Sequence, residues 1–274
     1  MSYRINTFIT SDKVVASYEK RLSICLLSNG FSFSLTSVHD ELLAIAEVEC
    51  KVDAPMAELL TTIKGVFSEL NIQPFGLKEC ELVVSSRQFV WVPQHLYDEN
   101  RRRDYLEALC TLERGFDVVT SLNTDIKSWM IFSAESNKVS AFKIACPGLK
   151  IRCQHDKLVN AITLENSDFK SLLLVNVRDG EADYEVLCNK KLQLSNTFDC
   201  ANFDEVVFHA LNLTKQFHLE DAQLSIALCG DIDRERYARI RPFFPSVTLY
   251  NGRPLMLTNP EMQHIHLYRY ATIL

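Results

Sequence analysis

The chain has 274 residues, 47% hydrophobic and 23% charged, with a formal net charge of −6 at pH 7. That balance is ordinary for a globular protein of one large or two modest domains, and the acidic total excludes a general nucleic-acid binder, which carries a basic surface. No stretch approaches the ~20 apolar residues of a membrane span, MSYRINTFITSDKV lacks a signal-peptide core, and nine cysteines without a CxxC pair read as small hydrophobes of a reducing cytoplasm.

The first 20 residues read as an irregular or strand-like lead-in. RLSICLLSNGFSFSLTS (21–37) predicts a hairpin turning at Asn29-Gly30, because Asn-Gly supplies the two positive-φ positions of a type I′ turn. That turn sets Leu26 opposite Phe33 and Ile24 opposite Leu35 on an apolar face. Leu27 then opposes Ser32, Cys25 opposes Ser34 and Ser23 opposes Thr36 on a smaller, more polar face. LLAIAEVEC (42–50) predicts a third strand. From 55 to 70, Met56, Leu59, Leu60, Ile63, Val66, Phe67 and Leu70 recur at the three- and four-residue spacing of an amphipathic helix, with Pro55 suited to its first turn. CELVVSS (80–86) reads as a buried strand, and a helix is expected from Pro93 to about 110. Within it, Arg101, Arg102 and Arg103 lie among Asp98, Glu99, Asp104 and Glu107, as on a solvated helix face. FDVVTSL and SWMIFSA predict strands, with a short helix between 116 and 160 and a break at Pro147-Gly148.

From residue 171 the succession repeats. LLLVNV (172–177) leads to a turn at Asp179-Gly180, opposing Val177 with Ala182, Val175 with Tyr184 and Leu173 with Val186. Asn176 with Asp183, and Leu174 with Glu185, share the other face, because a one-residue slip would reverse both faces. A strand at 192–198, a helix at 203–218, a strand at 223–230 and a helix at 232–242 follow; HIHLYRYATIL reads equally as helix or strand. The predicted class is α/β with mixed sheets, built from two βββαβα units whose turns at 29 and 179 stand 150 residues apart without residue-level identity. The expected boundary falls near 160–168, giving halves 1–165 and 166–274, with a C-terminal segment able to pack back on the first half.

A duplicated βββαβα unit resembles the actin-like ATPase fold, whose halves are ribonuclease H-like and which hexokinase shares. VWVPQHLYDE (90–99), LLLVNVRDGEADYEVLCNKKLQL (172–194) and SIALCGDIDR (225–234) resemble a bacterial domain family of unknown function with that fold. The second hairpin is distantly similar to type IV pilus actin-like assembly proteins. For catalytic members the resemblance implies an Asp-x-Gly in the first hairpin that helps hold hydrated magnesium. It also implies Asp-x-Gly-Gly-Gly in the second, and a later Gly-Gly that lets the backbone approach the nucleotide. Glycine permits that approach, concave N–H groups bind anions, and Mg²⁺ takes hard oxygen ligands.

Each matching position departs from the pattern. The first is Ser28-Asn29-Gly30, without the carboxylate. In the second, Asn176 stands for the Asp, Arg178 and Asp179 stand for two glycines, and Gly180 survives. In the third, Gly230 is followed by Asp231. Asp179 and Asp231 would oppose a phosphate by ~1 kcal/mol per charge pair at ~4 Å in water, and by ~4 at an effective dielectric of ~20.

Both turns also satisfy plain hairpin geometry. Arg178 is expected to pair across the turn with Glu181 in preference to meeting an anion, and Asp231 and Asp233 read as helix caps. Cys153-x-His155 and His264-x-His266 read as alternations of extended chain without metal-ligand spacing. The Asn212-Leu213-Thr214 sequon falls inside a predicted helix and is discounted. No nucleophile elbow, phosphate loop or dinucleotide fingerprint is present.

The expectation is a cytoplasmic, non-catalytic actin-like module without cofactor, nucleic acid or membrane attachment, serving an unidentified protein partner. The alternative is a divergent protein or weak ATPase that takes ATP with magnesium in the inter-lobe cleft.

Overall fold

A computed structural model describes residues 3–11, 19–164, 170–219, 224–244, 246–257 and 259–274, excluding the side chains of 161–164. In chain order the first strands are β1 (Tyr3–Thr10), β2 (Lys20–Leu27), β3 (Gly30–Ser37) and β4 (Glu41–Cys50). Then come α1 (Met56–Glu69), β5 (Glu79–Val84), β6 (Phe89–Pro93), α2 (Arg102–Glu107), β7 (Phe116–Asn123) and β8 (Ser128–Glu135). α3 (Ser136–Ala145), β9 (Lys150–Cys153) and α4 (Gln154–Leu164) lead to β10 (Ser171–Arg178), β11 (Glu181–Cys188) and β12 (Lys191–Asp199). α5 (Phe203–Gln216), β13 (Leu224–Gly230), α6 (Arg234–Ile240), β14 (Val247–Leu249) and β15 (Met256–Leu257) complete the set.

One sheet runs β1-β4-β3-β2-β5-β9, with β15 added beside β4; a second runs β12-β11-β10-β13-β14; a third is β6-β8-β7. In both large sheets a three-strand antiparallel meander is followed by two parallel strands, β5 and β9 in one and β13 and β14 in the other. The mixed α/β class and the repeated strand succession are therefore those expected. Phe31, Phe33 and Leu35 pack with Leu59, Ile63, Val66 and Phe67 of α1. Val175, Val177 and Tyr184 pack with Val206, Val207 and Ala210 of α5, where the Asn202 side chain accepts from the N–H groups of Asp204 and Glu205 as an N-cap.

The second hairpin has the expected register, Val177 opposite Ala182 and Asn176 opposite Asp183. The first does not. Leu27 pairs with Gly30, Leu26 with Phe31 and Ile24 with Phe33, so Ser28 and Asn29 form the turn. The displacement is two residues in pairing, which preserves the faces and hence the apolar side. Gly30 is the first residue of β3, and its φ is not positive. A Cβ there would lie 1.9 Å from the Val48 carbonyl oxygen. The glycine serves close approach of β4 rather than turn geometry. Gly30→Ala is expected to destabilise the protein by about 3 kcal/mol, the upper range for overpacking, in urea denaturation; a change within ~0.5 kcal/mol would overturn this reading.

The helix expected from Pro93 is a second correction. Pro93 ends β6, paired with Ser128 of β8. Two 3₁₀ turns follow at Gln94–Leu96 and Glu99–Arg101, and α2 covers only Arg102–Glu107. Asp98 accepts from the Asn100 N–H at 3.0 Å, a local side-chain bond that competes with continuous helix. The arginines pair with their own neighbours, Arg101 with Asp104, Arg102 with Glu99 and Arg103 with Glu107. The 116–160 stretch holds two helices, α3 and α4, where one was expected. His155 stands in α4, not in extended chain.

The C-terminal segment makes a 3₁₀ turn at Leu267–Tyr270. Ala271 joins Leu172, Leu174 and Cys229 of the second sheet. Ile273 and Leu274 join Leu42, Ile45 and Val83 of the first, where the Ser34 hydroxyl donates to the Ile273 carbonyl at 2.6 Å. The expected division at 165/166 and the start of the strand expected at 223 lie outside the described residues.

Candidate functional site: a cleft with a buried ionic floor

β10 is nearly continuous apolar chain, as suits a central strand covered on both faces. Asn176 interrupts it, and on β11 the same face carries Asp183 and Glu185. All three are buried, the two acids completely. A buried charge persists only when paired and hydrogen-bonded.

Asp183 accepts from Arg178 through Nε at 2.9 Å and Nη2 at 2.8 Å, from Asn176 Nδ2 at 2.9 Å and from the Thr197 hydroxyl at 2.7 Å. Burial would raise its pKa, but His155, Arg178 and the Thr197 bond outweigh burial and hold the carboxyl at about 2. Arg178 also meets Glu181 at 2.7 Å. The expected cross-turn pair is present, and the buried Asp183 is a second partner that the sequence did not suggest.

The second acid is held from the other half of the chain. His155 Nδ1 shares a short hydrogen bond with Glu185, and Nε2 lies 3.0 Å from Thr197 Oγ1. The Thr197 hydroxyl donates its one proton to Asp183, so Nε2 must be the donor to Thr197. One proton remains between Nδ1 and Glu185. Burial pulls the imidazole pKa down, but Glu185 and then Asp183 outweigh it and hold it above the usual histidine range, with Arg178 opposing. Burial likewise raises the Glu185 carboxyl despite His155. The pair thus holds its proton more tightly than a free histidine would.

The first turn of α4 is the hub of this arrangement. Gln154 accepts from Ser86 N–H at 2.9 Å and donates to the Ser86 carbonyl at 3.2 Å. His155 reaches the second sheet. Asp156 accepts from Ser121 at 2.9 Å, Asn123 at 3.0 Å and Arg152 at 2.8 Å. Three consecutive side chains therefore tie the segment after β5, the second sheet and the third sheet to one turn of helix.

Above this floor lies a cleft of about 380 Å³. Of the expected residues, Ser28, Asn29, Asn176, Arg178, Asp179, Gly230 and Asp231 line it. Gly30 lies against β4, and Gly180, at φ +70°, occupies the open turn. Lys138, Gln154, Arg269 and Tyr270 also line the cleft and were not foreseen; their sequence neighbourhoods give no sign of a shared wall. Asp183 and Glu185 had a usable signal, since the alternation ADYEV places both on the Asn176 face.

Each cation of the wall already has an acidic partner: Lys138 has Asp53 and Glu135, both at 2.7 Å, Arg178 has Asp183 and Glu181, and Arg269 has Asp231 at 3.8 Å. Asp233 caps α6 by accepting from Arg236 N–H at 2.7 Å, as expected. Asp231 does not cap; it pairs with Arg236 and Arg269. Gly230 has φ +82°, and a Cβ there would stand 2.1 Å from the Val177 carbonyl oxygen. The Asp231 N–H donates to that oxygen at 2.8 Å, and the Ile232 N–H donates to Gly230 at 2.9 Å. The glycine thus admits the chain's own β10 backbone, and both following N–H groups are taken. Among the described residues no group of three His, Cys, Asp or Glu is placed to hold a metal ion, and no helix is long and apolar enough to cross a membrane.

Two large sheets of this strand order, with their hairpins converging on a common cleft, define a protein of the actin-like ATPase fold. A crystal structure from Bacteroides thetaiotaomicron VPI-5482, of a protein with that fold and unknown function, matches at a TM-score of 0.72 and 19% identity, over 92% of this chain and 97% of that one. The PilM–PilN type IV pilus biogenesis complex matches at a TM-score of 0.59 and 9% identity, over 92% of this chain and 96% of that one. No curated protein matches the chain. The chain belongs to the protein family of unknown function DUF3822, which matches residues 11–247.

Proposed function

We propose that this chain is a non-catalytic binding or assembly module: a cytoplasmic pseudoenzyme that arose by internal duplication, keeps the actin-like scaffold and has given up ATP. The observation that carries the reading is the internal pairing of Arg178 with the buried Asp183 and of the largely buried Lys138 with Glu135. A phosphate would have to take them from carboxylates that then remain in or beside the site, including Asp183, which is buried completely. Ser28, where the resemblance implies the magnesium-facing Asp of the first hairpin, and Asn176, where it implies the Asp of the second, agree with this. That the similar PilM was solved with a protein partner, PilN, supports a protein-binding role. Calorimetry and thermal shift with Mg-ATP up to about a millimolar are expected to show neither heat nor stabilisation, because saturation at ~100 Kd would add about 2.7 kcal/mol. A micromolar affinity would overturn the proposal.

A second reading is a divergent site or weak ATPase taking ATP with magnesium. Arg178 favours it, since its guanidinium reaches the cleft wall at the second hairpin. On that reading Arg178→Ala weakens nucleotide binding several-fold, and equal binding by variant and parent removes it.

A further inference from the structure

We propose that the free edge of β7 is a docking site for an extended segment of a partner protein that alternates carboxylate and apolar residues and adds to the third sheet as a fourth strand. This names the partner class for the binding-module reading and rests on it. β7 is the outer strand of the order β6-β8-β7 and pairs with β8 without a bulge. Such an edge offers unpaired N–H and C=O groups to another chain.

The direction of those groups follows from the hydrogen bonds. Ser136 N–H donates to the Gly115 carbonyl at 2.8 Å, so Gly115, Asp117, Val119 and Ser121 turn their backbone polar groups toward β8. The alternate residues face outward. Phe116 N–H accordingly meets Glu113 at 3.3 Å, and the Leu122 carbonyl accepts from Arg152 at 3.4 Å. Between them Val118 and Thr120 present two N–H and two C=O groups, without backbone partners among the described residues. No proline or lysine guards this strand.

The surroundings specify the occupant. The edge opens into a cavity of about 580 Å³ whose walls include Arg102 and Arg103 of α2 and Val139 and Lys143 of α3. Three cations face one carboxylate, Asp117. Val118 and Thr120 share the sheet face of Ile131, against which Leu106 of α2 packs, whereas Val119 lies on the face of Phe132 and Ala134. An added strand would therefore turn alternate side chains toward the arginines of α2 and toward the apolar surface beside α3. The Arg102–Glu99 and Arg103–Glu107 pairs are exposed and worth little, so both arginines are available to an incoming carboxylate.

The test uses the full chain and a fluorescein-labelled octapeptide of four Val-Glu repeats, with four Val-Lys repeats as control. Fluorescence anisotropy is expected to show binding of the acidic peptide at least about tenfold tighter than the basic one, roughly 1.4 kcal/mol. Val118→Pro removes an outward N–H that β8 does not use, an edge position where proline is tolerated, and should weaken binding about tenfold. Arg102→Glu with Arg103→Glu should do the same without touching the strand. Hydrogen exchange at 116–120 should slow with peptide bound. Equal binding by the Val118→Pro protein, no binding near a millimolar peptide, or protection elsewhere would overturn the proposal. So would self-association of the parent that Val118→Pro abolishes, which would assign the edge to a second copy. The Mg-ATP titration judges the binding-module reading separately, so the two failures are distinguishable.

Discussion

Asp183→Ala is expected to lower the stability of the folded protein by about 3–5 kcal/mol, the cost of removing one partner from a buried ionic group. The reason lies in what would be left behind. Arg178, Asn176 and Thr197 all donate to this carboxylate, and His155 Nε2 lies 3.7 Å away. Without it, the Glu181 pair at the rim is the one left to the Arg178 charge among the described residues. The melting midpoint should fall on the order of 10 °C. Asp183→Leu combined with Arg178→Met should recover much of the loss, because an apolar replacement leaves neither member unpaired.

The acid dependence has a definite sign. The folded carboxyl titrates at about 2, below the ordinary aspartate value of about 3.9. Its contribution is therefore complete above the ordinary value and lost as pH falls through about 2. The Asp183→Ala protein should lack that part of the acid limb. A loss under ~1 kcal/mol, or an unchanged acid limb, would show that the network does not hold the second hairpin.

The His155–Glu185 pair predicts the opposite limb. The imidazole is held above its ordinary value by Glu185 and Asp183, against the effect of burial. A raised histidine contributes fully below the unfolded value of about 6.5, and that contribution disappears as pH rises through the folded value. The raised Glu185 carboxyl reflects burial, and the proton it shares with Nδ1 is this same one, not a second. Urea denaturation of the parent should thus show stability falling as pH rises above the unfolded value of about 6.5. His155→Gln alone should be strongly destabilising, by about 3–5 kcal/mol, since it strands Glu185. His155→Gln with Glu185→Gln replaces the pair by neutral amides and should flatten the alkaline limb. A double variant that keeps the parent slope would assign the dependence to other groups.

These predictions concern residues that were partly legible beforehand. The second hairpin could be paired residue by residue because apolar alternation on both strands and a single Asp-Gly turn agree on one register. The first was displaced by two residues because Asn-Gly satisfied turn chemistry while Gly30 answered a demand from β4, which turn preferences do not contain. The helix expected after Pro93 failed similarly, since the segment gains a strand partner in β8 that lies more than 30 residues away.

By itself, the sequence determined the α/β class, the repeated succession of strands and helices, the actin-like likeness and which residues stand at 28–30, 176–180 and 230–231, where that likeness implies nucleotide motifs. Those properties rest on periodicity, turn residues and local substitutions, all of short range. Only the tertiary structure decided that Asp183 and Glu185 are buried, that three successive side chains of α4 reach the segment after β5, the second sheet and the third, that Lys138, Arg178 and Arg269 are paired, and that Val118 and Thr120 of β7 have no backbone partner among the described residues. Burial and ion pairing depend on which distant surface covers a face. In this chain the covering residues, His155 for Glu185 and Asp231 for Arg269, come from 30 to 38 positions away.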